Sequence, residues 1–401
     1  MISINLIPNY SKEEIKIALA ALLSPWTFWQ DKYQKLLTEK LRQYLGVKHC
    51  FLFDSGRTSF YFLLRAFGIG AGDEVIIQSF TCSVVPAAIV NCGAYPVYVD
   101  IGENYNIDPK KITEKINFRT RAVVVQHTFG KPAKIDLIAK ICRQRGVVLI
   151  EDCAHGLGGE VKDKKIGSFG DAAFLSFGRD KVISGIWGGA LVFNKNEILS
   201  RLEDFLKNCP RRSFFWSIKQ LLYIPIIALV IKTYDFFDLG KALHWLFKKA
   251  KWLDDAVSIA EKRGVKRRVF YQGLPEFQAR LVYCQLLKIG KTISHRKKLA
   301  KFYAAGLEVP FDKTSTYLRF TFESKKAGEI REKARRENIF LGDWYDQAVA
   351  PRGIDLQKLS YFSGACPIAE RKSLQVINLP TNPNLDLKDA GRVLDIVKSS
   401  L

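Results

Sequence analysis

Residues 147–192 read VVLIEDCAHGLGGEVKDKKIGSFGDAAFLSFGRDKVISGIWGGALV, and this stretch decides the fold. It begins with a wholly apolar, β-branched run over 147–150, which is typical of a central parallel strand covered on both faces. That strand ends in Glu151 and Asp152, and the carboxyl ends of such strands are where α/β sheets bind ligands. A second apolar strand is predicted over 172–177, followed by Lys181 and a glycine-rich turn. The pattern therefore predicts that Asp152 and Lys181 meet in one crevice.

An acid and a lysine in one crevice have two interpretations. In the first, Lys181 forms a Schiff base with pyridoxal phosphate and Asp152 pairs with the pyridinium nitrogen of that cofactor. In the second, Lys181 is a surface lysine and Asp152 is a capping acid at the end of a strand. These two residues alone leave both interpretations open, so the surrounding chain has to decide between them.

Composition and charge describe an ordinary globular chain with a basic excess. The 401 residues are 48% hydrophobic and 25% charged, which suits two or three domains with an ample core. The net charge of +22 would suit nucleic acid, an anionic membrane surface or phosphate-bearing substrates. No zinc-finger spacing or RNA-recognition motif is found, so nucleic acid is the weakest of these.

Eight cysteines without a CxxC pair indicate reduced thiols in the cytosol, and no signal peptide is seen.

Strand and helix patterns alternate through the first 200 residues, which predicts a doubly wound, mostly parallel sheet. The turn Ser55-Gly56-Arg57-Thr58 opens one of the helices, and the free N–H groups there favour an anion such as phosphate, although an ordinary N-cap has the same letters. The predicted strands cover 50–53, 74–77, 97–100, 122–126, 147–150 and 172–177. The predicted helices cover 12–23, 30–44, 84–91, 109–116 and 134–145, with another that opens at 54–59 and runs to 67.

The alternation stops near residue 201. The stretch 214–231 is strongly apolar, but its uninterrupted part has 11 residues, against about 20 needed to cross a bilayer. A second segment, 239–253, combines leucines and tryptophans with lysines, and ten basic and four acidic residues lie between 201 and 251. Apolar aromatic faces with basic flanks are typical of helices lying in a membrane interface. A helical insertion packed on the body, or on a dimer partner, is the alternative.

The remainder of the chain predicts a smaller α+β unit that covers the ligand edge of the sheet. A helix is expected over 274–289, continuing at 296–307, then a half-buried strand over 316–322 and helices over 325–337 and 387–398, with 342–384 largely loop. The predicted organisation is a large cofactor-binding α/β domain with its N-terminal segment (1–200), a helical insertion (201–270), and a linking helix with a small C-terminal domain (271–401).

Taken together, these stretches resemble the DegT/StrS family of pyridoxal-phosphate-dependent sugar aminotransferases, which have fold type I. The resemblance covers nearly the whole chain except about 205–265. Each motif is modest alone, but their order and spacing together are specific. They are SG at 55–56, GIGAGDEVI at 68–76, SFT at 79–81, VDI at 99–101, HTFGKP at 127–132, EDCAH at 151–155, GSFGD at 167–171, LSF at 175–177 with Lys181, CPIAER at 366–371 and LP at 379–380.

The resemblance implies a role for individual residues. Lys181 would hold pyridoxal phosphate covalently, Asp152 would pair with the pyridine nitrogen, and His155 would lie near the ring hydroxyl. The phosphate would be bound by Ser176 and by the backbone of Gly56 and Arg57. No metal is implied.

Two regions depart from the family pattern. Cys82 stands where the family stacks an aromatic side chain on the cofactor ring. The block N-x-R-M-S-E-x-Q, whose asparagine reaches the partner subunit's phosphate in the family, reads YQGLPEFQ at 271–278 and lacks both the asparagine and the arginine. The lost charge would then have to come from Arg57, Lys266, Arg267 or Arg268.

The resemblance implies an enzyme that moves an amino group from an amino acid, by analogy glutamate, to a keto sugar. That sugar would be nucleotide-linked, and the pathway would be amino-sugar or cell-surface polysaccharide biosynthesis. A cytoplasmic homodimer is expected, in which both subunits line each site. Peripheral attachment to the inner face of a membrane through 214–252 is a further hypothesis.

Three alternatives stay open. The first is a sugar dehydratase on the same scaffold, against which Lys181 argues because the family's dehydratases have histidine there. The second is a non-catalytic or divergent membrane-associated relative, which the departures at Cys82 and Tyr271 would favour. The third is nucleic-acid binding through the basic charge, which would require steeply salt-dependent DNA binding.

Overall fold

A computed structural model of the protein describes residues 1–4, 6, 9–207, 209–210, 212–250, 252–253 and 272–401. The expectations for Tyr271, Lys266, Arg267 and Arg268 therefore lie outside the described residues. The helices are α1 (Lys12–Leu23), α2 (Lys32–Leu45), α3 (Gly56–Ala66), α4 (Val84–Asn91), α5 (Pro109–Lys115), α6 (Ile135–Arg145), α7 (Leu199–Lys207), α8 (Phe214–Lys232), α9 (Leu239–Lys249), α10 (Glu276–Leu286), α11 (Ile289–Gly306), α12 (Ala327–Arg336), α13 (Pro367–Gln375) and α14 (Leu387–Lys398).

The strands are short, as in most α/β proteins. They are β1 (Ile2–Ser3), β2 (His49–Phe53), β3 (Glu74–Gln78), β4 (Thr81–Cys82), β5 (Tyr95–Val99), β6 (Thr120–Gln126), β7 (Val148–Asp152), β8 (Glu160–Val161), β9 (Lys164–Lys165), β10 (Ala172–Ser176), β11 (Gly189–Phe193), β12 (Phe320–Glu323), β13 (Ile339–Phe340), β14 (Val349–Ala350) and β15 (Val376–Leu379).

Local sequence signals set the ends of several helices. Ser11 opens α1 in a capping box with Glu14: the Ser11 side chain accepts the Glu14 N–H, and the Glu14 side chain accepts the Ser11 N–H. Gly46 and Gly146 end α2 and α6 in the left-handed conformation, which glycine adopts without steric cost. The helix boundaries predicted around these residues accordingly agree with the structure to within two residues.

A seven-stranded sheet with the order β2-β11-β10-β7-β6-β3-β5 forms the centre of the large domain. The strands from β10 to β5 are parallel, whereas β11 pairs antiparallel with both β10 and β2. Apolar clusters cover both faces, which is why the central strands read as continuous apolar runs. The predicted α/β class with a mostly parallel sheet is confirmed, although β11 was missed because Gly189 at its start, together with the preceding Gly188, resembles a turn.

The C-terminal domain is built on the antiparallel pair of β12 and β15, with α12 and α14 packed in the same apolar cluster. The prediction that 342–384 is largely loop is wrong for α13 and β15. Pro367 stands at the first turn of α13, where its missing N–H costs nothing, and this start signal was overlooked. The strand predicted over 316–322 is confined to β12.

The apolar stretch after residue 213 forms one 19-residue helix, α8, which continues through Pro225. By length and composition alone α8 could cross a membrane, and 39% of its apolar window is buried inside the protein. Core helices of water-soluble proteins pass the same test of length and composition. One side of α8 joins α1 in an apolar cluster that contains Ile17, Leu221 and Ile224, so this side of the insertion is packed on the body.

Candidate active site

Two neighbouring parallel strands bring the predicted site residues to one edge of the sheet. Asp152 is the last residue of β7, and it lies opposite Phe174 of β10. Ser176 ends β10, so both residues are at the carboxyl edge, where α/β sheets bind ligands. Lys181 follows in the turn after β10.

A single cleft at this edge has a volume of about 990 Å³, part of which is open to solvent. The structure brings all of the predicted site residues into its lining: Gly56, Arg57, Cys82, Asp152, His155, Ser176 and Lys181.

The Lys181 amine lies among polar and aromatic groups. Its Nζ is 3.1 Å from His155 Nε2, 3.9 Å from Asp180 Oδ1 and 4.9 Å from the centre of the Trp344 ring. The Lys181 carbonyl accepts a hydrogen bond from the side chain of Asn9. The Lys181 side chain keeps 14% of its surface exposed, so its amine can be reached from the cleft.

Asp152 is a buried acid beside that amine. Burial raises the pKa of its carboxyl to about 6, and the Ala154 N–H group and the charge of Lys181 only partly oppose this rise. The Ala154 N–H donates to Asp152 Oδ1 at 2.9 Å. A carboxylate in such a position gains from a cationic partner in the cleft, because the partner would offset its lost hydration.

His155 is buried and aromatic side chains surround it. Its ring lies 5.8 Å from Phe129 and 6.0 Å from Tyr345, with interplanar angles of 15° and 19°. Burial, and then the nearby charges of Lys181 and Arg319, hold the pKa of His155 well below its usual value. The imidazole is therefore neutral at pH 7.

The turn that opens α3 has the shape of an anion cradle. Ser55 is the N-cap of α3 and accepts a hydrogen bond from the Thr58 N–H. A Cβ atom on Gly56 would lie 3.0 Å from the Leu175 carbonyl oxygen, and one on Gly189 would lie 2.4 Å from the Gly56 nitrogen. A side chain at either position would be crowded because α3, β10 and β11 approach each other here, and the crowding is more severe at Gly189 than at Gly56. Gly56 and Arg57, in the first turn of α3, line the cleft, so the N-terminal end of this helix adjoins the space where an anion would be favoured.

The insertion contacts two elements of the site, which the sequence did not predict. Arg212 Nε donates to the buried Asp54 at 2.9 Å, and Asp54 in turn accepts from Thr58 Oγ1 at 2.6 Å. The Arg179 guanidinium, in the loop beside Lys181, lies 5.1 Å from the ring of Tyr223 in α8. No local pattern in the sequence marks these contacts.

The C-terminal domain supplies a wall that sequence analysis also missed. Arg319 is buried and donates to Asp180 Oδ2 at 2.7 Å, and its guanidinium carbon lies 4.1 Å from the centre of the Trp344 ring. Although burial disfavours its charge, Lys181 and Arg319 hold the pKa of Asp180 below its usual value. Trp344 and Tyr345 line the same cleft.

Among the described residues, the side chains of His127, Glu151 and Cys153 form a buried group of metal-binding type, with ligand atoms within 4.8 Å of one another. His127 Nδ1 accepts the Ala133 N–H at 3.2 Å, which assigns the ring hydrogen to Nε2, 3.3 Å from Glu151. The Glu151 carboxylate also accepts the N–H groups of Gly167, Phe169 and Gly170. The histidine and the carboxylate are thus used in holding the turn before β10.

The described part of the divergent 271–278 block lies next to the cradle. The Asp54 N–H donates to the Gln272 carbonyl at 2.8 Å. Glu276 accepts the N–H groups of Tyr33 and Gln34 at 2.7 and 3.2 Å, so it caps the N-terminus of α2.

Comparison with known proteins agrees with this architecture. A family model described as the DegT/DnrJ/EryC1/StrS aminotransferase family matches residues 8–219 and 260–398. The chain is 28% identical to a dTDP-3-amino-3,6-dideoxy-alpha-D-galactopyranose transaminase of Aneurinibacillus thermoaerophilus, over 97% of this chain and 95% of that protein. It is 35% identical to the spore coat polysaccharide biosynthesis protein SpsC of Bacillus subtilis, over 67% of this chain and 69% of that protein.

The similarity to a GDP-perosamine synthase of Vibrio cholerae, at 34% identity, covers 48% of this chain and 53% of that protein, so the chain spans about half the length of this relative. Among solved structures, PseC of Helicobacter pylori, an aminotransferase involved in the biosynthesis of pseudoaminic acid, has a TM-score of 0.77 at 23% identity, over 100% of this chain and 98% of that chain. S. venezuelae DesV has a TM-score of 0.74 at 23% identity, over 97% of this chain and 94% of that chain. The structural likeness concerns the fold.

The match of the family model extends over most of the chain and, between residues 8 and 398, leaves 220–259 unmatched. It confirms the resemblance inferred from the motifs, and with it the expected fold type I architecture and the aminotransferase class. The chain belongs to the DegT/DnrJ/EryC1/StrS aminotransferase family.

Proposed function

We propose that this protein transfers an amino group from an amino acid, with glutamate as the expected donor, to a nucleotide-linked keto sugar by means of pyridoxal phosphate. The observation that carries the proposal is the single cleft in which the Lys181 amine, the buried Asp152 and the α3 cradle meet. The proposed role is in amino-sugar or cell-surface polysaccharide biosynthesis.

The residues of the cleft fit this cofactor. Lys181 offers an amine for a covalent link. Burial raises the pKa of Asp152, and a protonated ring nitrogen beside it would lower that pKa by stabilising the carboxylate. The cradle at Gly56, where a Cβ atom would meet Leu175 and Ser176, suits a phosphate on the N-terminus of a helix. Ser176 and Arg57 would complete the phosphate site.

The protein groups have separable tasks in the transfer. Pyridoxal phosphate, when bound, supplies an electron sink for the carbon that loses its proton. With the cofactor and the amino donor bound, the freed Lys181 amine would be the general base that removes a proton at one carbon and returns it at another. Asp152 favours the proton on the ring nitrogen, and neutral His155 orients the Lys181 amine through their 3.1 Å contact. The cradle would hold the phosphate group, which would keep the cofactor positioned for reaction with Lys181.

Printed activities of relatives support the choice of acceptor. The transaminase of Aneurinibacillus thermoaerophilus and the perosamine synthase of Vibrio cholerae are both named for nucleotide-linked sugars, and SpsC is named for spore coat polysaccharide. A keto sugar on a nucleotide is the acceptor class that these names share.

Replacing Lys181 tests this function most directly. In Lys181→Arg, which keeps the positive charge beside Asp180, we expect transfer to fall by at least about 10³-fold, because the general base and the covalent anchor are both lost. Purified protein would be assayed with glutamate and a panel of nucleotide keto sugars, and the visible absorbance of the bound cofactor would be recorded. Lys162→Ala, whose side chain is 79% exposed, is the control.

Two results would decide against the proposal. Transfer by Lys181→Arg at the parental rate would refute the role of the lysine. Cofactor binding without any half-reaction on glutamate or another amino acid would favour the divergent, non-catalytic relative instead.

We further propose that the enzyme is a cytoplasmic homodimer. The side chains of Leu23, Trp26, Trp29 and Phe215 are exposed together at the ends of α1 and α8, and Trp29 stacks on Phe214 at 5.5 Å. Such an apolar surface suits a second copy of the chain. Sedimentation of the holoenzyme as a monomer at micromolar concentration would contradict this assignment.

Peripheral attachment to an anionic membrane is the proposal for α9. Leu239, Trp245 and Leu246 are exposed on this helix together with basic residues, and Lys249 Nζ lies 4.8 Å from the Trp245 ring. This combination suits a lipid interface. Flotation with anionic vesicles at low salt is expected, with Trp245→Glu/Lys249→Glu as the variant that stays in the soluble fraction. Absence of the parental protein from anionic vesicles would refute attachment.

A further inference from the structure

The cysteine at position 82 leaves one side of the cleft without the aromatic side chain that the family has there. Cys82 ends β4, and β4 pairs in parallel with β14, so that Cys82 lies opposite Ala350. The Thr81 N–H donates to the Ala348 carbonyl at 3.0 Å, and the Ser83 N–H donates to the Ala350 carbonyl at 2.8 Å. These bonds fix the segment that precedes β14 against the position of the missing ring.

Tyr345 is the aromatic residue that this segment carries into the cleft. Cys82 packs against the apolar cluster that contains Tyr345, and both residues line the cleft. The Tyr345 ring is held edge-on by Phe80 at 5.3 Å and nearly parallel to Trp344 at 5.7 Å. The Trp344 N–H donates to Asn378 Oδ1 at 3.0 Å, which ties the other end of the segment to β15.

The Tyr345 hydroxyl has no hydrogen-bond partner in the part of the chain that the structure describes, although only 3% of the residue is exposed. Burial raises the pKa of Tyr345 well above its usual value, and the Cys82 thiol and the Asp152 carboxyl of the same cleft add to this rise. The hydroxyl oxygen is not one of the fully buried polar atoms of the described residues, so it keeps contact with open space in the cleft, where a ligand or a water can accept its hydrogen.

We propose that Tyr345 takes over the task of the missing aromatic: its ring bounds the planar heteroaromatic ring of the ligand beside Cys82, and its hydroxyl donates a hydrogen bond to that ligand. This inference rests on the proposed function, since it requires a pyridoxal-type ring in the cleft. The small side chain of Cys82 then leaves room that the large side chain of Tyr345 fills, whereas in the family pattern an aromatic side chain at the position of Cys82 occupies this room.

The hydroxyl and the ring can be tested separately by titrating pyridoxal phosphate into cofactor-free protein. Tyr345→Phe removes only the hydroxyl, and we expect affinity to fall by about two- to tenfold, the range of one neutral hydrogen bond. Tyr345→Ala removes the ring as well, and we expect a fall of about 10- to 100-fold. Binding is read from the visible absorbance of the bound cofactor and from quenching of tryptophan fluorescence.

Tyr98→Phe is the matched control. Tyr98 lies near the same cluster, but its hydroxyl donates to the Leu359 carbonyl at 2.8 Å and it does not line the cleft. Its loss should lower the melting temperature and leave cofactor affinity unchanged. Tyr345→Phe should lower cofactor affinity and leave the melting temperature unchanged, because the Tyr345 hydroxyl makes no hydrogen bond within the described part of the protein.

The pairing with Cys82 gives the decisive comparison. Cys82→Phe alone should weaken binding, because the new ring and Tyr345 compete for one space. In the double variant Cys82→Phe/Tyr345→Ala, the new ring should restore about tenfold of the affinity lost in Tyr345→Ala.

Two results would overturn the inference. One is a double variant that binds no better than Tyr345→Ala, and the other is parental affinity in both Tyr345 variants. If the parental protein itself failed to bind pyridoxal phosphate, the proposed function would fail first. The two failures are therefore distinguishable.

Discussion

The two sides of the cleft are assembled in different ways. The sheet side takes Asp152, Ser176 and Lys181 from one continuous stretch, and parallel pairing of β7 and β10 alone places them at a common edge. The opposite wall takes Arg319, which bonds to Asp180 across 139 residues of sequence, and Trp344 from a different domain. One side is thus positioned by local chain geometry, and the other by docking of the domains. Each can be perturbed without the other.

Breaking the link between the two sides should have the largest effect on stability. In Arg319→Met, the carboxylate of Asp180 loses its buried cationic partner, and we expect the free energy of unfolding to fall by about 3–5 kcal/mol. Denaturant unfolding of the variant and the parental protein would measure this loss of stability. The double variant Arg319→Met/Asp180→Asn should recover a large part of that loss. A double variant as unstable as the single one would mean that packing, and not the charge pair, joins the two sides.

The contribution of the sheet side can be tested through the charge of Asp152. Its pKa is raised from 3.8 to about 6 in the fold, so the folded state binds the proton more tightly than the unfolded state does. Ionised Asp152 therefore costs about 3 kcal/mol above pH 6, a cost that shrinks as the pH falls from 6 towards 4 and is absent below that.

Asp152→Asn should accordingly stabilise the cofactor-free protein at pH 8 and leave it unchanged near pH 4. The same variant should lower transfer by about 10²–10³-fold, because the ring nitrogen loses its anionic partner. Melting of the cofactor-free protein between pH 4 and pH 8, together with transfer assays, measures both effects. If the variant were less stable than the parental protein at pH 8, the inference that ionised Asp152 destabilises the cofactor-free fold would be wrong.

The smallest expected effect is at the cradle. In Gly56→Ala the new Cβ atom would lie 3.0 Å from Ser176 Cβ, so the end of β10 must shift, at a cost of about 1–3 kcal/mol. We expect weaker cofactor binding, measured by titration. Gly290→Ala is the control, since Gly290 lies in the first turn of α11 with nothing within 4 Å of a new Cβ atom, and this change should leave cofactor affinity unchanged. Equal cofactor affinity in both variants would rule out a tight cradle.

Sequence could predict the sheet side because its information is local. An apolar run that ends in Glu151-Asp152, and a second run before Lys181, specify both the strands and the edge at which they end. The other wall depends on two-residue strands, β4 and β14, whose lengths are too short for any hydrophobic period. Trp344 and Tyr345 therefore read as loop residues. β11 escaped prediction for a related reason, because Gly189 serves the contact with Gly56 and weakens the strand signal.

The bond between Arg212 and Asp54 ties the segment before α8 to the turn that opens α3. Asp54 is buried, and Arg212 is the cation that pairs with its carboxylate among the described residues, so losing Arg212 would leave a buried negative charge beside this turn. A shortened chain that lacks α8 and α9 would therefore have to keep Arg212 in place, or replace Asp54 by an uncharged residue at the same time.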